Sequence, residues 1–383
     1  MVDIVKNTFE SYPKHKAFII GNKSYTFEDL LPLISGIYQS IVNSDVGNNK
    51  IIGILTEDSI YTYASIIAIW ASGNGFVPID PLIPVERNLQ IIDKLELRFL
   101  LISSYYESLN SAINKREINA INVKNLSGIN EFPRIVKVSD ESIAYILFTS
   151  GSTGIPKGVP LSRSNLTNYM NGFFNCGYKI TSDDRVLQMF NFTFDMSIMS
   201  YMIGLYTGAC TFTVPPGAVK YLTVIQLLEE KKITVALKTP SVISYLRNYF
   251  DELFLPDLKY SLFAGEALYK DVVEEWSKCV PNAEIHNIYG PTEAVGCWFY
   301  DCTPSKKTIK SSNGIISIGK PYVNMNGIII NENQAIVTSG EKGELCIAGA
   351  QLFKGYWRDN DKTLQVMIQI NQDGNTYKFY RSG

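Results

Sequence analysis

Short aliphatic and β-branched runs alternate with longer stretches of helical period through most of the chain. Ala17–Ile20 and Lys50–Leu55 read as strands, with a helix over Thr26–Val42 between them. Phe76–Ile79 and Phe99–Ile102 read as further strands, with helices at Tyr61–Ser72 and Pro84–Leu95. The alternation continues through the strands Tyr145–Phe148, Val186–Met189, Thr234–Leu237, Tyr260–Phe263 and Glu284–Ile288. Helical patterns lie between them at Ser162–Phe173, Tyr221–Glu230 and Pro240–Phe250. Such a rhythm predicts parallel α/β layers. After Pro321 it gives way to Asn326–Ile330, Ala335–Val337, Gly343–Ala348 and Tyr377–Tyr380, short strand-like runs divided by Gly, Asn and Asp, which predict an all-β module. With a soft boundary at the Asp183-Asp184 turn, we expect one α/β unit over about 1–182, a second over 183–320 and the β unit over 321–383.

One stretch departs from this pattern. Met196–Val219 carries no charge, but its Gly204, Gly208, three threonines and Pro215-Pro216-Gly217 break predict a buried helix running into a buried strand, not a membrane span. The N-terminus lacks the basic and then apolar order of a signal peptide. A chain of 383 residues with 46% hydrophobic and 19% charged positions can bury a large core. Its 35 basic and 37 acidic residues leave a formal charge of −2, which argues against a nucleic-acid binder. The six cysteines form no CxxC pair and suit a reducing cytosol, so we expect a cytoplasmic protein with neither nucleic-acid nor membrane partners. With two histidines, His15 and His286, a His-centred triad or multi-His metal site has little to work with. Arg381-Ser382-Gly383 follows a strand with no capping element, so we expect a piece of a larger protein, and the Met beside the first helix points to the start of a polypeptide.

Two segments carry candidate chemistry. In Thr149-Ser150-Gly151-Ser152-Thr153-Gly154-Ile155-Pro156-Lys157-Gly158, a core strand feeds a loop of hydroxyls and glycines. Glycines let consecutive N–H groups converge on an anion, Lys157 adds a point charge, and a helix opening at Ser162 or Ser164 adds positive potential. The motif is not GxxxxGK[ST], because Lys157 follows Pro156 and precedes Gly158. In Asn287-Ile288-Tyr289-Gly290-Pro291-Thr292-Glu293, Tyr289 can stack on a base, Thr292 can donate to a phosphate and Glu293 can hold Mg²⁺. Alone, that segment is equally a β-turn with a solvated Glu. His286 beside it reads as a packing residue.

Together the segments resemble the phosphate loop and YGPTE motif of the adenylate-forming superfamily, which includes amino-acid adenylation domains, acyl-CoA synthetases and luciferases. Phe194-Asp195-Met196-Ser197, Gly265-Glu266-Ala267-Leu268, Gly343–Gly349 with Gly355-Tyr356-Trp357, and Tyr380-Arg381-Ser382-Gly383 are similar to further family motifs in the right order. The resemblance implies the large N-terminal core of an adenylation domain: two α/β subdomains with mostly parallel sheets plus a distorted β-barrel, with the small C-terminal subdomain absent. It implies an ATP-dependent acid–thiol ligase that forms aminoacyl-AMP, releases pyrophosphate and loads the phosphopantetheine thiol of a peptidyl or acyl carrier protein. Thr149, Ser150, Gly151, Ser152, Thr153, Gly154 and Lys157 would then hold the β- and γ-phosphates, Thr292 the α-phosphate and Glu293 Mg²⁺. Tyr289 would stack on adenine, the Gly265-Glu266 backbone would line the base pocket, and Asn287 and Gly290 would complete it. Lys157, Thr292 and Glu293 are the implied catalytic residues.

Asp195 opens both a helix and an uncharged stretch, so capping or pairing with a cation would each explain it. The resemblance favours a substrate α-ammonium as its partner. Matched pocket positions fall on Met196, Met199, Leu237, Leu262, Ala264, Ile288, Gly296 and Cys297, each of which also suits ordinary core packing. The set implies a small-to-medium apolar amino acid. D-alanine–carrier protein ligases share the FDxSxM pattern but have Cys where this chain has Ala264. Acyl- or aryl-CoA ligation and a non-catalytic ATP or AMP sensor are the competing expectations.

Overall fold

The computed structural model describes residues 1–44, 46–149, 156–215, 217–372 and 375–383. The expected parallel layers form two sheets. The first, of six strands, runs in the order Asn119–Asn122, Phe99–Ile102, Ile51–Leu55, Gly75–Ile79, Ile143–Thr149 and Lys157–Ser162, parallel except for the last pair. The second has nine strands, and its parallel centre runs Glu284–Tyr289, Tyr260–Phe263, Val235–Lys238, Arg185–Gln188, Cys210–Thr213 and Lys16–Ile20. Thus Lys16–Ile20 and Lys23–Thr26, from the start of the chain, extend the second sheet.

Helix Ile60–Ala71 carries apolar residues on every side and is buried at every residue but Tyr61, the placement expected of a helix without a polar face. It belongs to a core that joins residues of both sheets to Met325, Ile347, Phe353, Tyr356 and Tyr380 from the C-terminal part. The uncharged stretch is the expected buried helix and strand, Asp195–Thr207 and Cys210–Thr213. No described helix is long and apolar enough to cross a membrane. The six cysteines are free, and all but Cys176 are buried.

Beyond Pro321, the strands Met325–Ile330, Glu344–Gly349, Asn375–Arg381 and Met367–Gln372 form an antiparallel sheet in that order. The strand expected at Ala335–Val337 does not form: its one ladder contact is an isolated bridge between Ile330 and Ile336. Three apolar residues bounded by turns cannot sustain a ladder. The amphipathic helix Lys270–Cys279 was not foreseen, although Val272, Val273, Trp276 and Cys279 form its buried face at the spacing of a helix.

Lys238, fully buried, ends the strand Val235–Lys238. Its Nζ donates to Ser261 Oγ at 2.7 Å and lies 4.3 Å from the centroid of the Phe263 ring. Burial pushes its pKa down to about 7. An unfolded lysine titrates near ~10.4, so between these values the unfolded chain binds more protons and stability rises with pH. Lys238→Met should remove that slope and stabilise the protein at pH 7 by on the order of 1–3 kcal/mol. Denaturant midpoints measured from pH 7 to 10 check this, and parallel curves for the two proteins would contradict it.

Candidate functional site

In parallel sheets, loops leaving the C-terminal strand ends converge, and ligands bind there. Thr149 ends one such strand, and Asp195 follows the end of Arg185–Gln188. Gly265 follows Tyr260–Phe263, and Tyr289 ends the strand that leads into Glu293. Thr149 and Thr292 line one cleft of ≈ 350 Å³ together with Phe148, Thr193, Phe194 and Arg87. Ser150, Gly151, Ser152, Thr153 and Gly154 lie outside the described residues.

Lys157 was expected in a loop but begins a strand, paired with Thr149 in the antiparallel register. An edge strand accepts Pro160 because its missing N–H faces away from the ladder. The helix that follows starts at Arg163, with Ser162 rather than Ser164 as its cap, in a reciprocal box with Asn165.

Lys157 Nζ lies 4.9 Å from the centroid of the Tyr356 ring, and the Tyr356 hydroxyl donates to Glu293 Oε1 at 2.7 Å. Burial, then the bond to Glu293, drives the Tyr356 phenol far above its ordinary pKa. Glu293 is buried at 6% exposure, which removes the solvated-turn alternative, and its carbonyl accepts from the Phe353 N–H at 2.8 Å. The Tyr380 phenol lies by the same carboxylate, whose charge adds to burial in raising it. No described group of three acidic, His or Cys side chains could enclose a metal. A hard cation on Glu293 would therefore take its remaining ligands from phosphates and water, a usual arrangement for Mg²⁺.

The turn that presents Thr292 and Glu293 is closed tightly. A Cβ on Gly290 would fall 1.5 Å from the Val295 carbonyl oxygen, and the Cys297 N–H donates to Tyr289 O at 2.9 Å. Val295 has φ 57°, a strained value for a β-branched residue and one found where a site is over-determined by its surroundings. Gln351, buried, donates to Ala294 O at 3.1 Å and Gly296 O at 2.9 Å once its amide is oriented to satisfy both.

Asp195 is the first residue of its helix, not the cap: Phe194 occupies the cap position, and no side chain caps the helix. Its Oδ1 accepts only from the next amide, Met196 N, at 2.9 Å, and no described cation pairs with it. Burial foremost, with the Glu293 charge adding to it and the backbone bond opposing both, raises its pKa to about 6. Capping therefore does not explain this carboxylate.

Met196 and Tyr289 are half-buried near the cleft, whereas Met199, Leu237, Leu262, Ala264, Ile288 and Cys297 lie together in the core. Gly265 has φ +87°, and its absent Cβ makes room for the Met196 methyl, which such an atom would approach to 2.9 Å. Two residues of the expected nucleotide pocket also hold the surrounding loops with their side chains. The Asn287 side chain is buried and donates to Ser317 O at 3.2 Å, and the Glu266 carboxylate accepts from Ser241 N and Oγ at the start of helix Pro240–Leu246. His286, as expected, packs: its Nδ1 is 2.9 Å from the Tyr178 hydroxyl. Tyr356, visible in the sequence only as part of the Gly-Tyr-Trp motif, joins Glu293 and Lys157 in the candidate site.

The AMP-binding enzyme family profile matches residues 5–357. The chain belongs to that family, within the adenylate-forming superfamily. It is 28% identical over 378 residues to gramicidin S synthase 1 of Brevibacillus brevis, a match covering 97% of this chain and 33% of that protein. The chain thus spans about a third of that curated relative's length. Among solved structures, it is similar to the Klebsiella oxytoca NpsA N-terminal subdomain in complex with 3-hydroxybenzoyl-AMSN: TM-score 0.85, 22% identity, covering 100% of this chain and 95% of that one. An artificially fused NpsA-ThdA adenylation-PCP di-domain from the same organism matches with TM-score 0.87 and 22% identity, over 100% of this chain and 75% of that one. These structural likenesses establish the fold: the mixed α/β architecture of an adenylation-domain N-terminal core.

Proposed function

We propose that the protein activates a small-to-medium apolar amino acid as aminoacyl-AMP and passes it to the phosphopantetheine thiol of a carrier protein. The observation that carries this reading is Asp195, a half-buried carboxylate without a cationic partner among the described residues. It is close enough to Glu293 for the two charges to interact. An unpaired charge in such a place is costly, and a substrate α-ammonium offsets the cost.

In the proposed reaction, an oxygen of the substrate carboxylate bonds to the α-phosphorus of ATP, the bond to the bridging oxygen breaks and pyrophosphate leaves. The thiol then displaces AMP from the acyl carbon. The first step brings an anion to a polyanion, so it calls for neutralisation and alignment more than for a strong base. Lys157 and the Thr149–Gly154 hydroxyls and amides would hold the triphosphate, with Thr292 on the α-phosphate and Tyr289 against adenine. Mg²⁺ bound at Glu293 would neutralise phosphate charge. Tyr356, between Glu293 and Lys157, would fix the distance separating the metal-binding carboxylate from the phosphate-binding ammonium. The division at about residues 182 and 320 and the cytoplasmic location belong to the same proposal. A carrier partner is supported by the adenylation-PCP fusion among the similar structures.

Pyrophosphate exchange by the full natural polypeptide containing this chain tests the roles. Lys157→Ala should lower exchange about 100-fold or more, as loss of a group that stabilises transferring phosphate charge does. Glu293→Gln should raise the Mg²⁺ concentration for half-maximal exchange about tenfold. Unchanged exchange in the first variant, or an unaltered metal titration in the second, would remove that residue from its role.

A further inference from the structure

Met199 follows Asp195 by one turn of helix Asp195–Thr207, and both Met199 and Gly296 are matched pocket positions. At Gly296 the missing side chain leaves room that its neighbours fill. A Cβ there would come 2.9 Å from Met199 Cε, 2.9 Å from Ile288 Cγ2 and 3.5 Å from Tyr169 Cε2. The room is already taken by a thioether tip, a methyl and an aromatic edge. Met199, at 2% exposure, is enclosed by the core that also contains Leu237, Leu262 and Cys297.

Methionine can repack, but Tyr169 is held. It belongs to helix Arg163–Asn175, and its ring packs against Tyr322 with centroids 6.5 Å apart and planes 28° apart. That helix cannot readily retreat: a Cβ on Gly172 would meet Tyr322 Cδ2 at 2.8 Å, and Asn165 Nδ2 donates to Ala350 O and Leu352 O at 2.9 and 3.1 Å.

The floor is also polar. The hydroxyls of Tyr145 and Tyr169 are buried with no hydrogen-bond partner among the described residues. The Asp195 charge adds to burial in raising both phenols. Two unmet hydroxyls near a carboxylate suit an ammonium, with its three donors, better than an alkyl chain.

Resting on the ligase reading above, we propose that the substrate is a very small amino acid, of the glycine or alanine class. Tyr169 and Met199 determine this specificity by closing the side-chain pocket just beyond the ammonium. Overfilling a packed site is resisted strongly, and each additional methylene is discriminated by roughly 10–200-fold.

The test is pyrophosphate exchange by the full natural polypeptide with glycine, both alanine enantiomers, valine, leucine and phenylalanine. Glycine or alanine should exceed leucine and phenylalanine by at least ~100-fold in kcat/KM. Met199→Ala and, separately, Tyr169→Leu should each improve valine or leucine relative to glycine by about tenfold. If neither variant folds, the wild-type panel decides alone. Preference for leucine or phenylalanine in the wild type, or folded variants with an unchanged profile, would overturn this inference and leave the ligase reading standing. Exchange with no amino acid at all would overturn both.

Discussion

Asp195→Asn should separate the amino acid from the nucleotide. The amide keeps an oxygen for the Met196 N–H, which Asp195 now satisfies at 2.9 Å, so the helix start survives. What disappears is the charge. Removing one member of a desolvated charge pair costs roughly 2–5 kcal/mol, so KM for the amino acid should rise about 100-fold or more while ATP affinity holds. In the wild type, kcat/KM should fall about tenfold per pH unit below about 6, where the free carboxylate takes up its proton. The variant should lose that limb.

Stability should move the other way. An unfolded aspartate titrates near ~3.9, whereas burial holds Asp195 at about 6. Between those values the folded chain keeps a proton that the unfolded chain has lost. The stabilising contribution is therefore complete below the lower value and is lost as pH rises through the upper one. At pH 7.5, Asp195→Asn should be more stable than the wild type by ~1–3 kcal/mol, and below pH 4 the difference should close. Denaturant midpoints at the two pH values check this. A variant weaker than wild type at pH 7.5 would show that Asp195 is already stabilised within the protein.

Gly290→Ala should have the largest effect of any single methyl. The new atom would overlap the Val295 carbonyl, 1.5 Å away, and there is no flexible side-chain end to displace. The turn must open, moving Thr292 and Glu293 together and breaking the Cys297–Tyr289 bond behind them. A loss on the order of 3 kcal/mol or more is expected, with pyrophosphate exchange below detection even in molecules that remain folded. Circular dichroism and exchange assays on the same sample check it; a folded variant with full exchange would show that the turn does not need its observed geometry.

The contrast between Asp195 and Tyr356 shows what could be read from the chain. Asp195 stands out locally, as a lone charge before an uncharged run, although the groups its charge reaches, Glu293, Tyr145 and Tyr169, come from elsewhere in the chain. Tyr356 meets Glu293 across 63 residues, through the packing of the C-terminal module on the cleft, and no local period announces such a contact. The major parallel strands and the Ser162 cap were legible because hydrophobic spacing and capping chemistry are local. The Lys157–Ser162 strand was hidden by its Gly and Pro, which an edge position tolerates. Helix Lys270–Cys279 carries its apolar stripe at a spacing that is local and therefore readable in the sequence. The matched pocket residues were visible as an apolar set, but the approach of Tyr169, from another helix, to Gly296 is set by tertiary packing and has no local signal.

The central claim is that one carboxylate recognises one ammonium, and a binding cycle measures it most directly. Calorimetry would compare a non-hydrolysable aminoacyl-adenylate mimic with its counterpart lacking the α-amine, on wild type and on Asp195→Asn. The account predicts that the amine strengthens binding to wild type by about 100-fold and does almost nothing for the variant. An equal gain from the amine in both proteins would contradict it.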